Sequence, residues 1–127
     1  MTCQNELKSI EDIGKPFYKR EQLYFDQLDT SIYVKSKTWG LTGDHSLIVI
    51  SLDQSYEFYP DSSTEYIIDG VEVFYRQTVD SLIVYYTHMN SIPNQFNTSV
   101  KLKFIEIDGP TYRMLNDSFK AGLRKFE

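Results

Sequence analysis

What the sequence lacks narrows its reading first. It holds one cysteine, Cys3, so no disulfide forms within a single chain and a disulfide-stapled miniature scaffold is excluded. No stretch approaches the ~20 consecutive apolar residues that a membrane-spanning helix needs. Basic residues are scattered: Lys101-Leu102-Lys103 and Arg124-Lys125 are isolated pairs in a chain of net charge −5. Nucleic-acid binding rests on dense Lys and Arg clusters that release counterions from phosphates, so nucleic acid is not an expected partner. His45, His88 and Cys3 lie far apart in sequence and match no metal-ligand spacing. No G-x-S-x-G elbow is present, and Asp44-His45-Ser46 holds triad residue types only as neighbours, whose side chains diverge along a strand. Gly40 and Gly43 are followed by neither a Lys nor a helix start, so they do not build a phosphate loop. The triplets at Asn97 and Asn116 are of a kind that arises often by chance. No cofactor, metal or catalytic residue is therefore expected.

What is present points to a β domain. The length, 127 residues, suits one domain with its own core, and 41% hydrophobic against 24% charged residues is an ordinary globular balance. Ten Tyr and eight Phe suit strands and, for Tyr, exposed binding faces with an apolar body and a polar tip. The stretch Glu65–His88, EYIIDGVEVFYRQTVDSLIVYYTH, reads as three short strands joined by turns at Asp69-Gly70 and near Val79-Asp80-Ser81. Val71, Val73 and Tyr75 alternate with Glu72, Phe74 and Arg76. Leu82, Val84 and Tyr86 likewise oppose Ile83 and Tyr85. Both faces carry bulk, which predicts that each is covered.

Around this stretch, residues 1–16 read as a polar leader or tether, with Leu7, Ile10 and Ile13 three apart. Residues 17–127 read as a single β-rich domain. Phe17, Glu21, Tyr24 and Leu28 share a helical spacing, so residues 17–29 are expected to be helical or irregular. Ser31–Trp39 alternates as a strand, and Ser46–Leu52 is apolar on both faces, as in a central strand. Tyr56–Tyr59 reads as a brief strand ended by Pro60. In Val100–Asp108 the apolar phase slips at Phe104-Ile105, which predicts a bulge or a bend. Tyr112, Leu115, Phe119, Leu123 and Phe126 recur at helical steps, predicting a terminal helix over 111–126. The expected fold is an antiparallel β-sandwich or small barrel of six or seven strands with a C-terminal helix.

The segment Lys37–Ser51, KTWGLTGDHSLIVIS, followed by the hairpin opening EYIIDGVEVFY, resembles small envelope lipoprotein-like proteins of Bacteroidetes-type bacteria. The resemblance extends loosely over 31–127. It implies a lipid on Cys3 as the mature first residue and a place in the cell envelope, and it carries no activity with it. The expected function is a non-enzymatic binding or interaction domain for a protein or small ligand, touching the membrane only through that lipid. The alternative is a cytoplasmic protein that neutralises a partner or binds a small ligand. Glu72, Arg76, Tyr86 and His88 crowd one hairpin and form the candidate binding surface.

Overall fold

The structure is a computed structural model that describes residues 14–40, 45–70, 72–117 and 123–126. Five strands, β1 (Gly14–Phe25), β2 (Thr30–Gly40), β3 (His45–Ser51), β4 (Tyr66–Asp69) and β7 (Met89–Ser91), form sheet A in the order β1-β2-β3-β4-β7. Four more, β5 (Val73–Gln77), β6 (Ser81–Tyr86), β8 (Lys101–Glu106) and β9 (Leu123–Phe126), form sheet B in the order β8-β6-β5-β9. A helix, α1 (Gly109–Asp117), precedes β9. The sheets face each other as a sandwich, with no closed barrel. Pairing is antiparallel except between β6 and β8, which run parallel because the chain crosses to sheet A as β7 before returning.

Alternation along each strand builds the interior. Leu23, Ile32, Val34, Ile48, Ile50 and Ile68 from sheet A meet Val73, Tyr75, Leu82 and Val84 from sheet B in one buried cluster. Aromatic rings close its far side: Tyr66 stacks on Phe104 at 4.2 Å and meets Phe96 edge-on at 5.1 Å. The expected covering of both faces holds for β5. Phe74, outside the inter-sheet cluster and fully buried, meets Tyr112 of α1 at 5.3 Å. Ile48, Val49 and Ile50 of β3 are likewise buried on both faces, as a central strand requires.

Several expectations are corrected. Residues 17–25 continue β1, pairing residue for residue with β2, and are not helical. A four-residue loop follows, in which Asp29 takes φ +46°, a left-handed conformation that Asp tolerates better than most residues. Asp69-Gly70 is not a hairpin turn. It carries the chain from sheet A to sheet B, and Gly70 at φ +125° supplies a backbone conformation open to glycine. The turn at Val79-Asp80 is a hairpin, closed by Thr78 N–H to Ser81 O at 2.9 Å. Residues 56–59 are not a strand, and nine described strands replace the expected six or seven. β8 pairs with β6 without a register shift, so there is no bulge at Phe104-Ile105. The helix expected over 111–126 spans 109–117, and Leu123 and Phe126 belong to β9, the edge strand beside β5. Cys3 and the Leu7, Ile10, Ile13 pattern lie outside the described residues.

Between β1 of sheet A and β5 of sheet B the sandwich is tied by polar contacts. Gln77 Nε2 donates to Tyr24 O at 2.7 Å, and the Tyr75 hydroxyl donates to Glu21 Oε1. Burial above all, then the bond to Glu21, raises the Tyr75 phenol well above its ordinary 10.0. The unfolded chain titrates near that ordinary value. The stabilisation is therefore complete below about pH 10 and is lost as pH rises towards the raised folded value. Tyr75→Phe is expected to lower unfolding stability by about 1 kcal/mol at neutral pH, read by urea denaturation. The same variant should show a shallower loss of stability above pH 10 than the parent protein.

Candidate functional site

The outer face of sheet A concentrates cations and aromatic rings. Along β2 the outward positions are Tyr33, Lys35, Lys37 and Trp39, and the register sets Tyr18 and Arg20 of β1 opposite Lys37 and Lys35. Across this face runs the segment 52–65, which joins β3 to β4. Its shape comes from short-range turns. Asp53 Oδ1 accepts from Ser55 N and Oγ, and Asp61 Oδ1 accepts from Ser63 N and Oγ. Glu65 Oε1 accepts from Asp61 N at 2.8 Å and closes the second turn. These bonds hold the Asp61 carboxyl below its usual range, so it is ionised at neutral pH.

Lys35 fastens the segment to the sheet. Its side chain is fully buried, with Nζ donating to Ser55 O at 3.1 Å and lying 4.0 Å from both Glu65 Oε2 and Asp53 Oδ2. The Phe58 ring sits 4.7 Å from the ammonium. Burial lowers the Lys35 pKa, and the nearby Glu65 and Asp53 charges offset part of that fall. Arg20 adds a second fastening, donating from Nη1 to Gln54 O at 2.8 Å with the Tyr56 ring 4.4 Å away.

Lys37 is different. Its ammonium lies 5.1 Å from the Tyr59 ring, 5.7 Å from Trp39 and 5.8 Å from Tyr18. Three rings surround it, and no ion pair or hydrogen bond engages it among the described residues. The side chain is half-buried and Tyr59 is 88% exposed, so the cage opens to solvent.

Tyr59 also borders a cleft of about 670 Å³. The residues that line it include Glu57, Asp61, Glu65, Gln95 and Asn97. No cation is among its described lining residues. The cleft is rich in hydrogen-bond acceptors, and the cage beside it presents an unpaired cation.

The residues that sequence reasoning selected do not converge. Glu72 pairs with Lys125 at 3.5 Å and borders a smaller cleft with Asp69, Thr87 and Tyr112. His88 lies 3.4 Å from Asp69 at an exposed position and is not among the residues that line that cleft. Arg76 sits on the same strand face as Glu72 but about 13 Å along it, by the rise of an extended chain. Tyr86 packs against the core and contacts Phe104 edge-on at 6.4 Å. Cys3 lies outside the described residues. His45 stacks on Trp39 at 5.5 Å. Among the described residues no three His, Cys, Asp or Glu side chains are placed to hold a metal, and no helix is long and apolar enough to cross a membrane.

Set against protein-family models, curated proteins and solved structures, the chain matches none of them at a significant level.

Sequence reasoning missed Lys35, Lys37 and the segment above them. The alternation of Tyr33, Lys35, Lys37 and Trp39 was the available signal, since alternate cations and rings on one strand face are unusual for a plain solvated face. Lys35→Met is expected to destabilise the fold by about 3–5 kcal/mol, because Glu65 would remain buried without its cation. Adding Glu65→Gln keeps the acceptor for Asp61 N and should recover most of that loss. Guanidinium denaturation of the two variants checks both outcomes.

Proposed function

We propose that this protein is a non-enzymatic binding domain that takes its ligand on the outer face of sheet A. The observation that carries the reading is Lys37, an accessible cation walled by Tyr18, Trp39 and Tyr59 and engaged in no ion pair among the described residues. Such a cage favours a ligand with a negative group and a ring or flat surface, since the ammonium supplies charge and the rings supply stacking area. The rest of the face supports binding over chemistry. Lys35, whose pKa burial lowers, is sealed beneath Ser55 and Phe58, where a substrate does not reach it. Asp61, held ionised, accepts hydrogen bonds and has no proton to give at neutral pH. The resemblance to envelope lipoprotein-like proteins supports a lipid on Cys3 that holds the domain at the cell envelope.

Amide chemical-shift mapping with a library of small carboxylates, phosphates and sulfates tests the binding face. The expected result is a cluster of perturbed signals at Tyr18, Lys37, Trp39 and Tyr59. Perturbation confined to Asp69, Glu72 and Tyr112 would move the site to the smaller cleft and overturn the reading. Growth of the producing cells with labelled palmitate tests the tether. Label retained by the parent protein and lost on Cys3→Ala is the expected outcome, and an unlabelled parent favours the cytoplasmic alternative.

A further inference from the structure

We propose that the ligand is an acidic sugar, a pyranose bearing a carboxylate, seated across Tyr59 with its carboxylate at Lys37 and its hydroxyls in the neighbouring cleft. The proposal rests on the binding-face reading above and goes further by naming the ligand class.

Tyr59 belongs both to the Lys37 cage and to the lining of the cleft. At the cage Lys37 has rings around it and no ion pair among the described residues. In the neighbouring cleft Asp61 and Asn97 supply acceptors, Glu57 adds a carboxylate whose charge also reaches the Tyr18 phenol, and no described lining residue is a cation. An ionised carboxylate only accepts hydrogen bonds, so a ligand in the cleft must bring donors. A second anionic group there would be repelled by Glu57 and Asp61. The two halves together therefore ask for one negative group at the cage and several donor groups at the cleft. A simple aromatic acid meets the first demand and fails the second, and a neutral sugar does the reverse.

The ring between the halves fits the same ligand. Tyr59 projects into solvent beside Lys37 and near the Tyr18 phenol, with a free surface large enough for the C–H face of a pyranose. Its position is held by the backbone on either side. Phe58 is anchored under the segment against Lys35 and Tyr18, and Asp61 is fixed by its turn. With the backbone held, only the side-chain torsions of Tyr59 remain to be ordered on binding.

The single Trp of the chain, Trp39, forms one wall of the cage, so its fluorescence reports directly on occupancy. The intact protein is titrated with short oligomers of galacturonate, glucuronate and mannuronate, with the same sugars after reduction of their carboxylates, and with benzoate. At least one acidic oligomer is expected to change Trp39 emission saturably, with its reduced counterpart binding about tenfold or more weakly. Lys37→Gln should weaken the acidic sugar by about tenfold or more, while Lys37→Arg, which keeps the charge, should retain most of the affinity. Circular dichroism verifies that both variants fold. Equal binding of acidic and reduced sugars, or an acidic sugar indifferent to Lys37→Gln, overturns the proposal. If benzoate binds in a Lys37-dependent way and no acidic sugar does, the sugar is wrong and the binding face stands. Silence of Trp39 towards every probe removes both.

Discussion

The burial of Lys35 is the interaction on which the outer face of sheet A depends. A fully buried ammonium is expensive unless charge and hydrogen bonds compensate it. Here the compensation comes almost entirely from segment 52–65, through Ser55 O, Glu65, Asp53 and the Phe58 ring. The dependence runs both ways. Glu65 is itself buried and reaches back to Asp61 N, so the turn that shapes the cleft is built on the carboxylate that neutralises Lys35. Tyr59 lies between Phe58 and that turn, which is how one buried charge comes to place an exposed ring over Lys37.

The inner contacts of the sandwich set the frame for this. Sheet A and sheet B share an apolar cluster, and α1 covers Phe74 on the outside of sheet B. Sheet A has no helix on its outer side among the described residues. An irregular segment covers it instead, and irregular backbone needs partners for its polar groups. Arg20 and Lys35 provide them by binding the carbonyls of Gln54 and Ser55. Two cations set opposite each other in the register, an arrangement that repels on a bare sheet, are thereby explained as anchors for a covering layer.

The strands with clear alternation or continuous apolar character were legible in the sequence: β2, β3, β5 and β6 all fall where the pattern puts them. The failures share a cause. Phe17, Glu21, Tyr24 and Leu28 mimic a helical stripe because β1 is an edge strand, where exposed Phe17 and Tyr24 lie outside the buried set of Leu23 and Phe25. Leu123 and Phe126, three apart, are buried on opposite faces of β9, and a strand covered on both faces imitates helical spacing. Asp69-Gly70 carries turn chemistry, but the choice between a hairpin and a change of sheet is made by long-range pairing with β3 and β7. For the same reason the site was out of reach. Lys35 and Lys37 look equivalent in sequence, two residues apart on one face. They differ only because segment 52–65 seals one and leaves the other among rings.

That difference bears on what the face can do. Lys35 and Lys37 share a strand, a side and a charge, so a solvated sheet would use them alike. Lys35 has exchanged water for a carbonyl, two carboxylates and a ring, and its positive charge is consumed in holding the fold. Lys37 has exchanged part of its water for three ring faces, whose quadrupoles stabilise a cation without neutralising it. Its field stays available to an incoming anion, and its reduced hydration lowers the cost of meeting one. The acceptor-rich cleft across Tyr59 has the opposite preference. Selectivity on such a face comes less from the strength of either half than from their pairing. A ligand that puts its charge on the wrong side meets Glu57 and Asp61, and one without charge leaves Lys37 unanswered.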